Sequence, residues 1–214
     1  RVGCRVVQLQ RSSHVLKEFA QASSEVVADA LRDNGINLIT NVSLKSFEDL
    51  PGERVSVNFE HEGESKTLET KFLFNALGRQ PATASLGVDK VGLELRPSGH
   101  LIANEYQQTN VPHIYAAGDC AGPHEIVHVA IRQGETVAKH AFGQSVNPMT
   151  YDSLLTVVFT DPQIARVGLS QEQMTKRGFS YTSASFPFDD HGKSILMEAK
   201  RGYVAVHADK NTGR

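Results

Sequence analysis

Hydrophobic and polar positions repeat with different periods along the chain, and these periods predict its elements. Near the amino end, the apolar runs CRVVQLQ and INLIT predict two short strands. Between them, SSEVVADALRDNG has the three- and four-residue spacing of a helix face. We expect Ser23 or Ser24 to cap this helix and Gly35 to end it. The order is that of a strand-helix-strand crossover.

The middle of the chain changes to a period of two and then returns to a helical period. The stretch ERVSVNFEHEGESKTLET alternates about a Glu-Gly-Glu turn and predicts a hairpin or meander. KFLFNAL and VPHIYAA have the content of short buried strands. From about Glu125 to Phe142 an amphipathic helix is predicted. Its apolar face would contain Val127, Ala130, Ile131, Gly134, Val137, Ala138 and Ala141.

The last part of the chain, from about Pro148, predicts a different architecture. TVVFT, SYTSASFPF and GYVAVHAD are predicted strands, and SQEQMTKRG is a predicted short helix. Turns rather than long helices separate these strands, so we expect an antiparallel sheet.

One acid stands where a predicted strand meets the predicted helix. The pair Gly118-Asp119 closes VPHIYAA, and the helix follows a few residues later. In open α/β sheets, ligands bind at such places because free backbone N–H groups and the helix dipole favour electron-rich groups. Asp119 is therefore a candidate ligand-binding residue. The alternative is that its side chain only caps the turn or the helix.

Composition and charge restrict the kind of protein. The chain has 214 residues, of which 40% are hydrophobic and 21% charged, and this predicts a globular protein with one large or two small cores. A net charge of −2 without a basic cluster argues against a nucleic-acid partner. No apolar run approaches the roughly 20 residues of a membrane span, so we expect no membrane partner and a cytoplasmic location.

Cysteine and histidine positions indicate no metal or redox centre inside the chain. Cys4 and Cys120 are far apart in sequence and form no CxxC or metal-ligand spacing. We expect each to be a small buried side chain rather than half of a redox pair. The histidines form no ligand-spaced cluster, and we therefore expect no metal site.

Several segments together resemble one enzyme family. TNVPHIYAAGDCAGPHEIVHVAIRQGE resembles the second flavin-contacting segment of the FAD-dependent pyridine nucleotide–disulfide oxidoreductases, a group that includes dihydrolipoamide dehydrogenase, glutathione reductase and mercuric reductase. NALGRQPAT resembles the family's A-T-G-R-x-P-N segment, and FTDPQIARVGLSQEQ and FPFDDHGK through ADKNTGR resemble its dimerisation domain. The resemblance covers nearly the whole chain in the family's order.

The resemblance implies an α/β fold made of portions of Rossmann-like dinucleotide-binding domains. Residues 1–72 would be the carboxyl-terminal part of the NAD(P) domain, and residues 73–147 the second segment of the FAD domain. Residues 148–214 would be the amino-terminal part of an incomplete α+β dimerisation domain. The resemblance also implies a homodimer in the intact enzyme.

For the site, the resemblance implies that Asp119 accepts a hydrogen bond from a ribitol hydroxyl of FAD. The helix that follows would aim its first N–H groups at the flavin pyrimidine edge, where a reduced flavin carries negative charge. The flavin-binding positions would be Gly118, Asp119, Glu125, Ile126, Val127 and His128. For His128, a structural histidine is the alternative interpretation.

The predicted strand near the amino end bears on the nicotinamide cofactor. NAD enzymes place an acid at the end of this strand, whereas NADP enzymes supply cations for the 2′-phosphate. Here the strand ends at Gln10, and Arg11 and Lys17 follow. This arrangement resembles the glutathione reductase pattern and favours NADP, with NAD as the alternative; ordinary surface charges are the other interpretation. The resemblance places NALGRQP at the junction of the nicotinamide and flavin domains. Gly78 is a predicted cofactor-binding position that would supply backbone freedom at this crossing, and Arg79 is predicted to be a surface residue.

The family's redox-active CxxxxC pair, both GxGxxG loops and the HxxPTxxE segment have no match here, so we assign no catalytic residue. We interpret the chain as part of a longer flavoprotein that passes hydride from NAD(P)H to FAD and then electrons to a small disulfide or related acceptor. One alternative is a flavin NAD(P)H oxidase or quinone reductase without a disulfide. Another is an inactive piece that serves only in assembly or dimerisation.

Overall fold

The structure is a computed structural model that describes residues 3–213. The chain divides into two compact units. The first combines the part of the chain up to Phe74 with the part from Asp152 onward, and the second spans Asn75–Tyr151. The assignment of residues 1–72, 73–147 and 148–214 to three domains stays a prediction.

The first unit begins with the predicted strand-helix-strand crossover, which is confirmed. Strand β1 (Val7–Leu9) and strand β2 (Asn37–Ile39) pair in parallel, and helix α1 (Gln21–Asp33) connects them. Buried Val15 and Val27 form the core between the helix and the preceding loop. The parallel pair places the loop after β1 at the carboxyl end of the strands.

The predicted cap of α1 is wrong. The helix begins at Gln21 with Ala20 at the N-cap position, and no side chain caps it. Ser24 lies inside the first turn, fully buried, where its hydroxyl donates to the carbonyl of Leu16. Ser23 shares a hydrogen bond with the Tyr203 hydroxyl at 2.7 Å. Tertiary partners therefore engage both hydroxyls, which are not available to the helix end.

A three-stranded antiparallel sheet follows in the order β3-β4-β5. Its strands are β3 (Ser43–Leu50), β4 (Arg54–His61) and β5 (Glu64–Thr70). The predicted hairpin is β4-β5. Strand β3 was missed because the register shifts between Leu44 and Ser46, which breaks the alternation that marks a strand.

The predicted buried strand KFLFNAL is absent. Residues 71–77 form no strand, and the side chains of Phe72 and Phe74 are 74% and 90% exposed. An apolar run becomes a buried strand only where neighbouring strands pair with it. No strand in the described part of the chain does so.

The second unit has a small core and one long helix. Val88, Leu101, Ala116 and Ala121 form the core, and Cys120 packs against it. The predicted strand VPHIYAA is wrong, since only Tyr115 pairs, in an isolated bridge with Gln108. Helix α2 spans Val127–Ala141, within the predicted range.

The strands in the remainder of the first unit pair antiparallel as predicted, but they form two separate pairs instead of one sheet. It contains β6 (Leu155–Val158), β7 (Ile164–Val167), α3 (Gln171–Lys176), β8 (Tyr181–Pro187), α4 (Gly192–Leu196) and β9 (Tyr203–Asp209). Strands β6 and β7 form one antiparallel pair and β8 and β9 another. Ser170 and Gln173 form a capping box at the start of α3, which fixes where this short helix begins.

The turn after β9 is organised by one carboxylate. Asp209 accepts hydrogen bonds from the backbone N–H groups of Thr212 and Asn211, both at 2.8 Å, and from the Thr212 hydroxyl at 3.1 Å. The N–H of Thr212 makes the largest contribution to lowering the pKa of Asp209, followed by that of Asn211, because both stabilise the ionised carboxylate.

The two cysteines differ from one another. Cys120 is half-buried against the core, whereas Cys4 is exposed, so the expectation of burial is wrong for Cys4. Strand β1 begins only at Val7, which leaves Cys4 outside the packed crossover. Within residues 3–213, no helix combines the length and apolarity needed to cross a membrane.

The exposed apolar residues predict how the isolated 214-residue chain behaves. We expect weak, concentration-dependent association rather than a sharp dimer, because bare apolar surface favours promiscuous contacts. Size-exclusion chromatography with light scattering measures this. Phe72→Ser with Phe74→Ser should reduce the association, and Ser43→Ala, at an exposed serine of β3, is the matched control. A concentration-independent dimer peak of the unaltered chain would contradict the expectation.

Candidate functional site

The candidate site is the loop from Gly118 to Gly122 together with the amino end of α2. Gly118 is buried with a φ of 80°, a backbone conformation that favours glycine. A Cβ at this position would lie 3.3 Å from the Cβ of Ala130, so the loop also packs closely on the helix. Both constraints explain why a glycine precedes Asp119.

The side chain of Gln133 joins this loop to α2. It is completely buried, and its carbonyl oxygen accepts the Gly118 N–H at 2.6 Å. Its amide nitrogen donates to the Gly122 carbonyl at 3.2 Å and to the Tyr151 hydroxyl at 2.9 Å. One amide therefore satisfies polar groups at both ends of the loop.

The predicted apolar face of α2 is only partly packed: Ala130, Gly134 and Val137 are half-buried, and the other predicted residues are exposed. The buried residues of the helix are Val129, Gln133 and Thr136, whereas Val127 and Ile131 are 77% and 57% exposed. Polar side chains occupy the buried face because internal hydrogen bonds satisfy them: Thr136 donates to the Arg132 carbonyl, and Gln133 holds the loop. Hydrophobic spacing alone does not carry this information.

The amino end of α2 has unpaired donors. Ile126 is at the N-cap position in an extended conformation, and no side chain of residues 3–213 caps the helix. The N–H groups of Val129 and Ala130 both bond to the Ile126 carbonyl. Those of Val127 and His128 meet no acceptor within the described residues. These two N–H groups, at the positive end of a 15-residue helix, can receive an electron-rich group.

Charged side chains surround the loop. Arg79 Nη2 lies 2.8 Å from Asp119 Oδ2, and Arg79 Nε lies 3.7 Å from Glu125 Oε2. The other oxygen of Glu125 lies 3.2 Å from His100 Nε2. Arg79 is exposed as predicted, but it is an ion-pair partner of the candidate acid rather than an isolated surface charge. Sequence reasoning missed this pairing because 40 residues separate Arg79 from Asp119.

Neighbouring residues do not enclose His128 or Gly78. The His128 side chain is exposed and has no hydrogen-bond partner in the described structure, so it is not a buried structural histidine. Gly78 has a φ of 113°, which favours glycine, and a Cβ there would meet no atom within 4 Å. Both positions are therefore exposed to solvent.

Arg11 and Lys17 belong to the other compact unit. Both lie in the loop between β1 and α1, and both side chains are exposed. Between them, Val15 is buried and holds the loop in place. Neither cation makes a hydrogen bond or ion pair with the described residues, so both are free to meet an anion.

Comparison with known proteins identifies the class. Residues 1–134 match the family model for pyridine nucleotide-disulphide oxidoreductases, and residues 154–214 match the dimerisation domain of the same family. The chain belongs to the pyridine nucleotide-disulphide oxidoreductase family. The predicted α/β fold, with parts of dinucleotide-binding domains and of a dimerisation domain, is thereby confirmed.

The similar proteins are longer. The chain is 30% identical to a mercuric reductase of Bacillus cereus and 30% identical to a dihydrolipoyl dehydrogenase of Bacillus subtilis, in each case over 99% of its own length. It spans 33% and 45% of these proteins, respectively.

Solved structures show the same relation. The crystal structure of LpdA from Mycobacterium tuberculosis superposes with a TM-score of 0.89 at 27% identity, over 99% of this chain and 45% of that one. The HOCl-induced flavoprotein disulfide reductase RclA from Escherichia coli gives 0.86 at 26% identity, over 99% and 48%.

The bridging amide yields a stability prediction. We expect Gln133→Leu to lower the free energy of unfolding by about 2–4 kcal/mol, because the Gly118 N–H and the Gly122 carbonyl lose their buried partner. Denaturant unfolding measures the change. Gln144→Leu, at an exposed glutamine after the same helix, should change stability by less than about 0.5 kcal/mol. Equal effects of both variants would show that the Gln133 bridge does not stabilise the unit.

Proposed function

We propose that this chain is part of a flavoprotein oxidoreductase that passes hydride from NAD(P)H to FAD and then electrons to a small disulfide or related acceptor. The observation that carries the proposal is the uncapped amino end of α2 with the Asp119 carboxylate beside it. The family match and the flavoprotein among the similar structures support it.

The residues present suit one part of FAD. Two unpaired N–H groups, of Val127 and His128, can donate to the carbonyl and ring acceptors of the flavin pyrimidine edge. Asp119 uses only Oδ2 for Arg79, and Oδ1 has no partner in the described structure, so this oxygen can accept a ribitol hydroxyl. The donors and the acceptor thus match two neighbouring parts of the same molecule.

When bound, FAD would supply the two-electron chemistry, and the chain's own groups would set its position and charge. Helix α2 places partial positive charge at its amino end, which favours an electron-rich ring edge. Gln133 holds Gly118, and so fixes the loop that presents Asp119. Asp119 would orient the ribityl chain through one hydrogen bond.

For the nicotinamide cofactor we propose NADPH. Arg11 and Lys17 follow strand β1, where an acid would indicate NADH, and neither cation is engaged by the described residues. A guanidinium and an ammonium group suit the 2′-phosphate of NADPH through charge-assisted hydrogen bonds.

The similar proteins support proposals for the acceptor and the assembly. A mercuric reductase and a dihydrolipoyl dehydrogenase are both similar to this chain, so we propose a disulfide-type or related small acceptor. Residues 154–214 match a dimerisation domain, and we propose that the complete protein is a homodimer.

The flavin assignment predicts an affinity change. In the complete protein, Asp119→Ala should weaken FAD binding by about 10- to 150-fold, which corresponds to one charge-assisted hydrogen bond of about 1.5–3 kcal/mol. Fluorescence titration of the flavin-free protein with FAD measures it. Asp89→Ala, at an exposed acid of the same unit, is the control. Unchanged affinity in Asp119→Ala would show that this carboxylate does not bind the ribitol.

The nicotinamide assignment predicts a change in cofactor preference. In the complete protein, Arg11→Ala with Lys17→Ala should raise KM for NADPH while KM for NADH stays nearly constant, since only NADPH carries the 2′-phosphate. Steady-state kinetics with both cofactors separates the two. Lys210→Ala removes an exposed cation elsewhere and serves as the control. Equal losses with NADPH and NADH would rule out phosphate recognition by this pair.

A further inference from the structure

We propose that Arg79 is a positioning residue of the flavin site, which fixes the Asp119 carboxylate and offsets the site's negative charge. This inference rests on the proposed function of Asp119. From the sequence alone, Arg79 is predicted only to be a surface residue of the turn between Leu77 and Pro81.

The geometry of the ion pair leaves Asp119 available for a ligand. Arg79 Nη2 approaches Oδ2 at 2.8 Å, and this is the one side-chain partner of Asp119 among the described residues. Oδ1 remains open. A carboxylate held through one oxygen keeps its orientation and still accepts a hydroxyl through the other. Without Arg79, nothing in the described structure would hold that rotamer.

Arg79 is itself held from two sides. Its Nε faces Glu125, whose second oxygen meets His100, and His100 Nδ1 is 2.9 Å from the Ser98 hydroxyl. The backbone after Arg79 is fixed by buried Thr83, whose hydroxyl donates to the Gly99 carbonyl at 2.8 Å. The arginine is therefore part of a connected set of polar contacts, although its side chain is largely exposed.

The second part of the proposed role of Arg79 is to offset negative charge near the flavin. Asp119 and Glu125 would place two negative charges near the flavin, and Arg79 reduces their sum to one. A flavin that becomes negatively charged on reduction is repelled by carboxylates, so a cation between them stabilises the reduced form. Arg79 is 69% exposed, and solvent screening therefore keeps the effect modest.

The experiment is a double-mutant cycle in the complete protein with FAD as the probe. The variants are Arg79→Gln, Asp119→Ala and the two combined, with Arg132→Gln, at an exposed arginine of α2, as the matched control. Arg79→Gln should weaken FAD binding by about two- to fivefold, the range of an exposed ion pair. In the Asp119→Ala background it should cause no further weakening, because the arginine acts through that carboxylate.

A second measurement separates positioning from a structural role. Spectroelectrochemical titration should give a lower flavin midpoint potential for Arg79→Gln and an unchanged one for Arg132→Gln. Arg79→Lys keeps the positive charge and should restore most of the potential, while the unfolding midpoints of the flavin-free variants stay equal. This conservative variant also provides the test if Arg79→Gln does not fold.

The outcomes distinguish the two levels of inference. If Asp119→Ala weakens FAD binding but Arg79→Gln does not, the positioning role is overturned and the flavin site stands. The same conclusion holds if the double variant loses the sum of the two single losses in binding free energy. If the potential of Arg79→Gln is unchanged, the charge role is overturned. If Asp119→Ala itself binds FAD normally, the proposed function of the site fails first.

Discussion

The arrangement of the candidate site depends on the buried amide of Gln133. Only an amide offers an acceptor and two donors on one small planar group, and here it serves the Gly118 N–H, the Gly122 carbonyl and the Tyr151 hydroxyl together. Because these bonds lie in a buried, weakly polar environment, each is costly to break. They hold the loop at a fixed position along α2. The place of Asp119 beside the helix start is a consequence.

Around this neutral, buried bridge the charged groups are near the surface. Arg79, Asp119 and Glu125 are all partly exposed, so their ion pairs contribute little to folding stability. The same exposure lets an incoming ligand reach the carboxylate without opening the core. The site thus separates two tasks: a satisfied buried amide maintains the geometry, and solvent-accessible charges remain free to interact.

Sequence patterns predicted the elements that depend on local information. The crossover of β1, α1 and β2 and the hairpin β4-β5 are stabilised by neighbours close in the chain, and the pattern predicts them. KFLFNAL failed because an apolar run has the same composition whether or not strands pair with it. The glycine-aspartate pair before a helix indicated the site loop.

The remaining parts of the site depend on partners distant in sequence. Gln133 was missed because a glutamine in a helix is usually a solvent-facing residue, and its burial follows only from the folded loop. The Arg79-Asp119 pair crosses between two loops, and no periodicity signals such a contact. Tertiary hydrogen bonds also determine which face of α2 is buried, and this face is not the one that the hydrophobic spacing predicts.

The exposed apolar side chain at the start of α2 lies next to the unpaired N–H donors of the same helix end. Val127, the first residue of the helix, is 77% exposed, and its own N–H has no acceptor in the described structure. In water, the exposed apolar side chain is poorly solvated while the N–H groups bond to solvent, and the two together complement a planar ligand with apolar ring faces and a polar edge. An isoalloxazine ring has both features. The exposure of Val127 is thus consistent with the flavin that we propose for this end of α2.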